Sequence, residues 1–274
     1  MSFSSEIKQE LSCQIPPARH CRLAEMAAIL SYCSHVESAD GDSPCVKMHT
    51  ENLAVARKYF TLLRKTFNIE MNVSVRQGRN PRGSRSYEVT SFDGLEPVKH
   101  MLVQNQCCKR AYIRGAFLAS GSMSDPEKGY HFEIVCSTEE KAEKLQEMLT
   151  GFGIDARITL RKRSFVLYVK EGSQIVDLLN VMEAHVALMK FENVRILKEM
   201  RNSVNRQVNC ETANLNKTVS AAVKQIEDIQ FIQRTIGFDE LPENLAEIAV
   251  LRLEQPETTL KELGQMLTPP VGKS

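Results

Sequence analysis

The sequence predicts an α+β fold, built as a pseudo-twofold duplication and followed by an all-α segment that ends in part of a helix-turn-helix. Three observations predict it. Residues 22–34, RLAEMAAILSYCS, and residues 111–123, AYIRGAFLASGSM, read as helices of equal length, each with one face of small residues: Ala24, Ala27 and Ala28 in the first; Gly115, Ala116, Ala119, Gly121 and Ser122 in the second. Glycine costs a free helix about 1 kcal/mol relative to alanine, so two of them point to another backbone packed close by. The order helix, strand, helix, hairpin then recurs at an offset of about 85 to 88 residues. From Lys217 onward, apolar residues recur only at helical spacing.

Each element follows from a local pattern. Residues 3–14 form a first helix, with Ser4 or Ser5 as cap, Ile7 and Leu11 as its apolar stripe, and Pro16–Pro17 ending it. After the small-faced helix at 22–34 and the turn-rich ESADGDSP comes a short alternating strand, CVKMHT. Residues 51–66 are an amphipathic helix with Leu53, Ala56, Phe60 and Leu63 on one face. Residues 69–76 and 86–92 alternate with period two around the polar loop QGRNPRGSR, which makes a hairpin. The second half repeats this order: helix 111–123, strand 130–136, helix 138–149 with a capping-box start at Thr138, and a hairpin of 154–160 and 164–169 that turns at RKR. Phe67–Asn68–Ile69 falls opposite Phe152–Gly153–Ile154 in this register.

A helix over 173–189 closes the second half. Residues 191–216 are rich in asparagine yet hold no proline or glycine, so they read as a helix fading into an ordered polar connector. Helices at 217–235, 242–253 and 260–267 follow, with a turn at Gly237 and Thr258–Thr259 as a cap. The last two, joined by a tight turn, fit the first two helices of a helix-turn-helix. The expected division is 1–95 and 96–190 for the two halves, 191–220 for the connector and 221–274 for the partial helix-turn-helix domain.

At 274 residues, with 42% hydrophobic and 25% charged residues, the composition is that of an ordinary globular protein. A net charge of +1 excludes any global electrostatic argument for a polyanionic partner, so such an argument must be local. No apolar run approaches membrane-spanning length, and MSFSSEIKQEL is not a signal peptide. The expectation is a cytoplasmic, nucleoid-associated protein without membrane contact. The eight cysteines include no CxxC; Cys33–His35 and Cys45–His49 have ligand-like spacing, but no second tight pair completes a zinc site. Reduced, mostly buried cysteines are expected, with no metal and no cofactor. The six histidines have no acid or serine partner at a suggestive spacing, and the terminal GKS lacks the strand and first glycine of a phosphate loop.

The helix pair is similar to the paired motif helices of LAGLIDADG homing endonucleases. In that family each helix ends in an acid, and the two acids hold divalent metal at the scissile phosphates. Aligning Gly115 with the motif glycine puts Ser120 at the acidic position, and the matching residue of the first half is Tyr32. Neither can hold magnesium, so no catalytic residue is expected. Both hairpin turns are basic, with Arg76, Arg79, Arg82 and Arg85 in one and Arg161, Lys162 and Arg163 in the other, a placement suited to tracking phosphates of double-stranded DNA. Arg201, Asn205, Arg206 and Lys217 of the connector are expected to touch DNA or to fix the two domains.

Together, MSFSSEIKQEL, AYIRGAFLASGSMSDP, NRQVNCETANLNKT and LAEIAVLRLEQPETTLKELGQML resemble the WhiA family of bacterial regulators over essentially the whole chain. The resemblance implies a degenerate, non-cleaving LAGLIDADG-like domain joined to a DNA-binding helix-turn-helix. It also implies a role in transcription, cell division, chromosome segregation and sporulation, with other regulators or the transcription machinery as partners. A basic recognition helix, which the family has after GKS, is expected to be missing here. The internal symmetry is compatible with a monomer. Two rival functions are a surviving metal-dependent endonuclease and a protein-interaction module that has lost DNA affinity.

Overall fold

Strand alternation and helical spacing assemble into the same design twice in the computed structural model, which describes residues 2–37, 45–67, 71–77, 85–91 and 103–270. The chain divides into two compact units, residues 1–197 and 198–274. In the first unit, helix α1 (Phe3–Cys13) precedes α2 (Arg19–Cys33), β1 (Ser34–Glu37), β2 (Cys45–Thr50), α3 (Leu53–Phe67), β3 (Met71–Gln77) and β4 (Arg85–Ser91). The repeat follows as α4 (Gln106–Ser120), β5 (Gly121–Met123), β6 (Phe132–Cys136), α5 (Glu139–Thr150), β7 (Arg157–Arg161) and β8 (Ser164–Val169). Both sheets are antiparallel and share one strand order, β1-β2-β4-β3 and β5-β6-β8-β7. The starts of α2 and α4 and of β1 and β5 are both 87 residues apart, within the offset read from the sequence.

The two motif helices end earlier than their residue pattern suggests. Helix α4 stops at Ser120, and Gly121–Met123 turn extended to pair with Phe132–Ile134 of β6. Met123 is buried there, as a strand residue and not as the end of a helix face. The run GSM is too short to show a period of its own, so only its sheet neighbour reveals it. Strand β1 follows α2 in the same way.

The small faces do bring α2 and α4 together. A Cβ on Gly115 would lie 2.8 Å from the Ala28 Cβ and closer still to the Glu25 carbonyl oxygen. The helices run parallel and in register, with Ala28 beside Gly115 and Glu25 beside Arg114.

Glu25, fully buried, sits between two cations at this contact. Lys58 Nζ of α3 lies 2.7 Å from Glu25 Oε1 and also donates to the carbonyls of Leu11 (2.7 Å) and Gln14 (2.6 Å), which uses all three of its protons. Arg114 Nε donates to Glu25 Oε1 at 3.0 Å, and its Nη1 donates to Glu183 Oε2 at 2.7 Å. Burial pulls the Lys58 pKa below the ordinary lysine value even with Glu25 beside it. Burial disfavours the Arg114 charge too, but Glu25 and Glu183 outweigh it and raise its pKa.

Glu183 stands at a break that the sequence pattern does not show. The helix expected over 173–189 is two helices, α6 (Gly172–Val181) and α7 (His185–Thr235), separated at Glu183 with a left-handed φ of 65°. The expected fading of the connector does not occur either: α7 runs unbroken for 51 residues. Asparagine lowers helix propensity by well under 1 kcal/mol per residue, and without proline or glycine nothing interrupts the ladder.

The caps also differ from expectation. Ser2 caps α1 in place of Ser4 or Ser5, and Thr138 makes no side-chain cap on α5. The second unit contains α8 (Glu243–Glu254) and α9 (Leu260–Met266), preceded by a turn at Gly237 with φ 86°. There Thr259 and Glu262 close a full capping box on α9. Among the described residues no helix is long and apolar enough to cross a membrane.

Two variants test this core. Gly115→Ala should lose about 1–3 kcal/mol in urea unfolding, because the added methyl meets backbone that cannot rotate away. Glu25→Ala should cost about 3–5 kcal/mol, since it strands two buried cations; a loss below 1 kcal/mol would show that the cluster does not hold the helices.

Candidate nucleic-acid interface

The carboxyl ends of α2 and α4 carry neutral groups. Ser120 Oγ turns back to the Ala116 carbonyl at 3.5 Å, the weak local bond of a helix-terminal serine. Tyr32 donates its hydroxyl to the Lys141 carbonyl at 3.3 Å, and the Lys141 ammonium lies 5.8 Å from its ring centre. Burial, chiefly, pushes the Tyr32 phenol well above its ordinary pKa. The helix bounds place Cys33, one residue beyond Tyr32, opposite Ser120. Asp125, the next acid after α4, accepts from the Glu127 backbone N–H at 3.0 Å within a turn.

The described basic residues of the two hairpins, Arg76, Arg85 and Arg161, lie at or next to the ends of the outermost strand pairs. In the first hairpin Arg76 is the penultimate residue of β3 and Arg85 opens β4, with Gln77 opposite Arg85 in the ladder. Arg79 and Arg82 lie outside the described residues. Arg76 is 72% exposed and pairs with Glu88 at 3.2 Å. In the second hairpin Arg161 is 57% exposed and pairs with Glu133, also at 3.2 Å. In each pair the guanidinium is exposed while its carboxylate is mostly buried.

The second turn is tight. Arg161 faces Ser164 in the ladder, and Lys162 takes a φ of 57°, a region that favours glycine. With Arg163, Ser164, Val135 and Val166, these residues line a depression of about 500 Å³. Its lining combines three basic residues with two valines.

Glu133 ties Arg161 into a wider hydrogen-bond network. It accepts from Ser122 Oγ and His131 Nε2, each at 3.1 Å, besides Arg161. Burial alone would raise its pKa, but these partners outweigh burial and hold it low.

The connector residues do not share a face. Arg201, Asn205, Arg206 and Lys217 all lie exposed on α7. At about 100° per residue, Arg201 and Asn205 form one pair while Arg206 and Lys217 form another, about 100° or more around the helix. The helix also carries exposed Met200, Val204, Val208, Leu215 and Val219, so it is less polar on one side than its asparagines suggest.

A different group of side chains could hold a metal. His20 and Cys21 of α2 and Cys107 and Cys108 of α4 bring one ligand atom each to within 4.8 Å of one another. Burial and the neighbouring Cys107 and Cys108 thiols push the Cys21 thiol up to about 12. Neither Cys33–His35 nor Cys45–His49 belongs to this group, which assembles across the two halves. The available signal was the 87-residue spacing of His20–Cys21 and Cys107–Cys108, the same as that of the duplication.

Two LAGLIDADG-like halves, with neutral residues at the motif ends, followed by a helix-turn-helix unit define the class of protein to which this chain belongs. Family models cover this chain in order: the WhiA N-terminal LAGLIDADG-like domain at residues 19–102, the WhiA LAGLIDADG-like domain at 109–201 and the WhiA C-terminal HTH domain at 204–274. Proteins described as "Probable cell division protein WhiA" are 57% identical in Lachnoclostridium phytofermentans, over 100% of this chain and 94% of that one, and 48% identical in Alkaliphilus oremlandii, over 100% and 93%. The crystal structure of full-length DUF199/WhiA from Thermatoga maritima superposes with a TM-score of 0.70 at 25% identity, covering 98% of this chain and 92% of that chain. The chain belongs to the WhiA family.

The Glu133 network has a signed pH effect. Its folded pKa lies below the ordinary carboxylate value, so its contribution to stability is present above that range and is lost as pH falls through the folded pKa. Glu133→Gln should therefore destabilise the protein at neutral pH by about 1 kcal/mol, and the gap to the parent should close in acid denaturation.

Proposed function

We propose that this chain is a double-stranded-DNA-binding transcription regulator that acts in cell division, chromosome segregation or sporulation and does not cleave DNA. The observation that carries the reading is the combination of neutral residues at Ser120, Tyr32 and Cys33 with basic hairpin turns on both halves of the scaffold. Phosphodiester hydrolysis by two metals needs anionic oxygen ligands at the helix ends. Phosphate tracking needs only the cations. Arg76, Arg79, Arg82, Arg85, Arg161, Lys162 and Arg163 are assigned to backbone phosphates, which give affinity and register without sequence information.

The helix-turn-helix domain at 204–274 is assigned to base reading only when a recognition helix completes it. Of the connector residues, Arg206 and Lys217 share one face of α7 and are assigned to DNA. Relatives named for cell division support the biological setting. Other regulators or the transcription machinery are the further partners in this reading, and the nucleoid is its place in the cell.

Duplex binding measured across a salt series tests the proposal. The parent should bind with a steep salt dependence, and the Arg161→Ala/Lys162→Gly/Arg163→Ala variant should lower the slope of log affinity against log salt by about 3 units. Glycine relieves the left-handed backbone at 162, so the variant should remain folded by circular dichroism. Supercoiled plasmid with magnesium should stay intact. Nicking would favour the endonuclease reading, and salt-insensitive or absent duplex binding would favour the protein-interaction module.

A further inference from the structure

The amino ends of α2 and α4 bring together a second constellation, unrelated to the basic turns. His20 and Cys21 are the second and third residues of α2, and Cys107 and Cys108 are the second and third residues of α4. His20 Nδ1 lies 3.2 Å from Cys108 Sγ, 3.3 Å from Cys21 Sγ and 4.0 Å from Cys107 Sγ. Cys21 and Cys108 are buried, whereas Cys107 and His20 reach the surface.

We propose that His20, Cys21, Cys107 and Cys108 form a structural zinc site that joins the two halves of the first unit.

Distance, donor chemistry and charge each favour this assignment. Zinc bonds of about 2.3 Å to sulfur and 2.0–2.1 Å to nitrogen place the corners of a tetrahedron about 3.6–3.8 Å apart. The His20–sulfur distances bracket that span, and all four ligand atoms fall within 4.8 Å. Three thiolates and one imidazole make a closed, soft donor set of the kind that selects zinc over magnesium or calcium.

Hydrogen bonding alone does not account for the cluster. A neutral imidazole nitrogen offers one lone pair and can accept from one thiol, yet three sulfurs surround His20 Nδ1. Packing accounts for only half of it: Cys21 and Cys108 fill the crossing beside Ala24 and Ala111 as small apolar groups, but Cys107 is exposed and fills nothing. Zn²⁺ with three thiolates and a neutral imidazole carries one net negative charge, and two helix amino ends face it with their positive dipole ends.

The ligands come in equal pairs from the two halves. A bound ion would therefore close a long loop between residues 21 and 107, and binding only the folded state raises stability in proportion to the logarithm of free zinc. The site lies at the opposite end of the helix pair from Ser120 and Tyr32 and is independent of DNA binding.

The test uses the full chain, purified with reductant and stripped of metal. One equivalent of Co²⁺ should produce the thiolate-to-cobalt charge-transfer and visible bands of a tetrahedral site, and one equivalent of Zn²⁺ should bleach them and raise the melting temperature. Cys21→Ser/Cys108→Ser should abolish the spectrum. Cys107→Ser replaces a surface thiol and should leave the fold intact while weakening Co²⁺ binding about tenfold or more. Cys13→Ser/Cys210→Ser, at exposed thiols elsewhere, should change nothing. The proposal is overturned if the reduced, folded parent gives no cobalt spectrum, or if the spectrum and its affinity survive in the Cys107→Ser variant. It is also overturned if Cys21 is found disulfide-bonded to Cys107 or Cys108 and the reduced protein takes up no metal.

Discussion

The buried carboxylate of Glu25 is the interaction on which the first unit depends. It is reached only because Gly115 and Ala28 let α2 and α4 approach until a single methyl would collide with backbone. At that spacing the carboxylate has no water, and it must be matched by Lys58 from α3 and Arg114 from α4. Each cation then recruits more of the chain. Lys58 ties down the carbonyls at the end of α1, and Arg114 holds Glu183 at the left-handed corner between α6 and α7. One carboxylate thus fixes where six helices meet. Such a cluster is a poor source of net stability compared with an apolar core, because desolvation offsets most of the Coulombic gain. What it does supply is register: sliding α4 by one residue would leave at least one buried charge without its partner.

The duplicated sheets were legible because their information is local. Period-two runs, basic turns and amphipathic helices each occupy fewer than about twenty residues, and their matched order repeats. Strands β1 and β5 were not legible. They span four and three residues and directly follow a helix, so their strand character comes from β2 and β6 across the ladder. The break at Glu183 escaped for a related reason. Nothing in VMEAH marks a stop, and the left-handed residue is held by an arginine 69 positions away. In the second unit the capping box at Thr259 is complete within four residues, and the sequence shows it plainly.

The candidate interface follows the same division. Arg161, Lys162 and Arg163 declare themselves as a basic turn, but their engagement with Glu133 depends on a strand pairing that only the fold supplies. His20–Cys21 and Cys107–Cys108 look like unrelated dipeptides until the 87-residue repeat places them side by side. Spacing rules for metal sites assume ligands on neighbouring turns of one segment. Here the close helix crossing does the work of that short spacing, so a search within single segments passes over the site.

The parallel arrangement of α2 and α4 gives their two ends opposite electrostatic characters. Aligned dipoles make the amino ends favourable to negative charge and the carboxyl ends unfavourable, by about 0.3–1 kcal/mol per charge. A metal-dependent nuclease on this scaffold must nevertheless place two carboxylates together at the carboxyl ends, where their mutual repulsion adds to the dipole, and a divalent cation is needed to hold them. Ser120 and Tyr32 remove that conflict: both are neutral, both find a backbone carbonyl, and neither requires a cation. At the amino ends the preference is reversed, and an anionic thiolate–zinc centre meets the dipoles in their favourable sense. The same helix pair that presents neutral groups at one end is therefore electrostatically suited to sulfur-ligated metal at the other. The phosphate contacts proposed above lie on the hairpin turns, where Arg161, Lys162 and Arg163 are exposed to solvent.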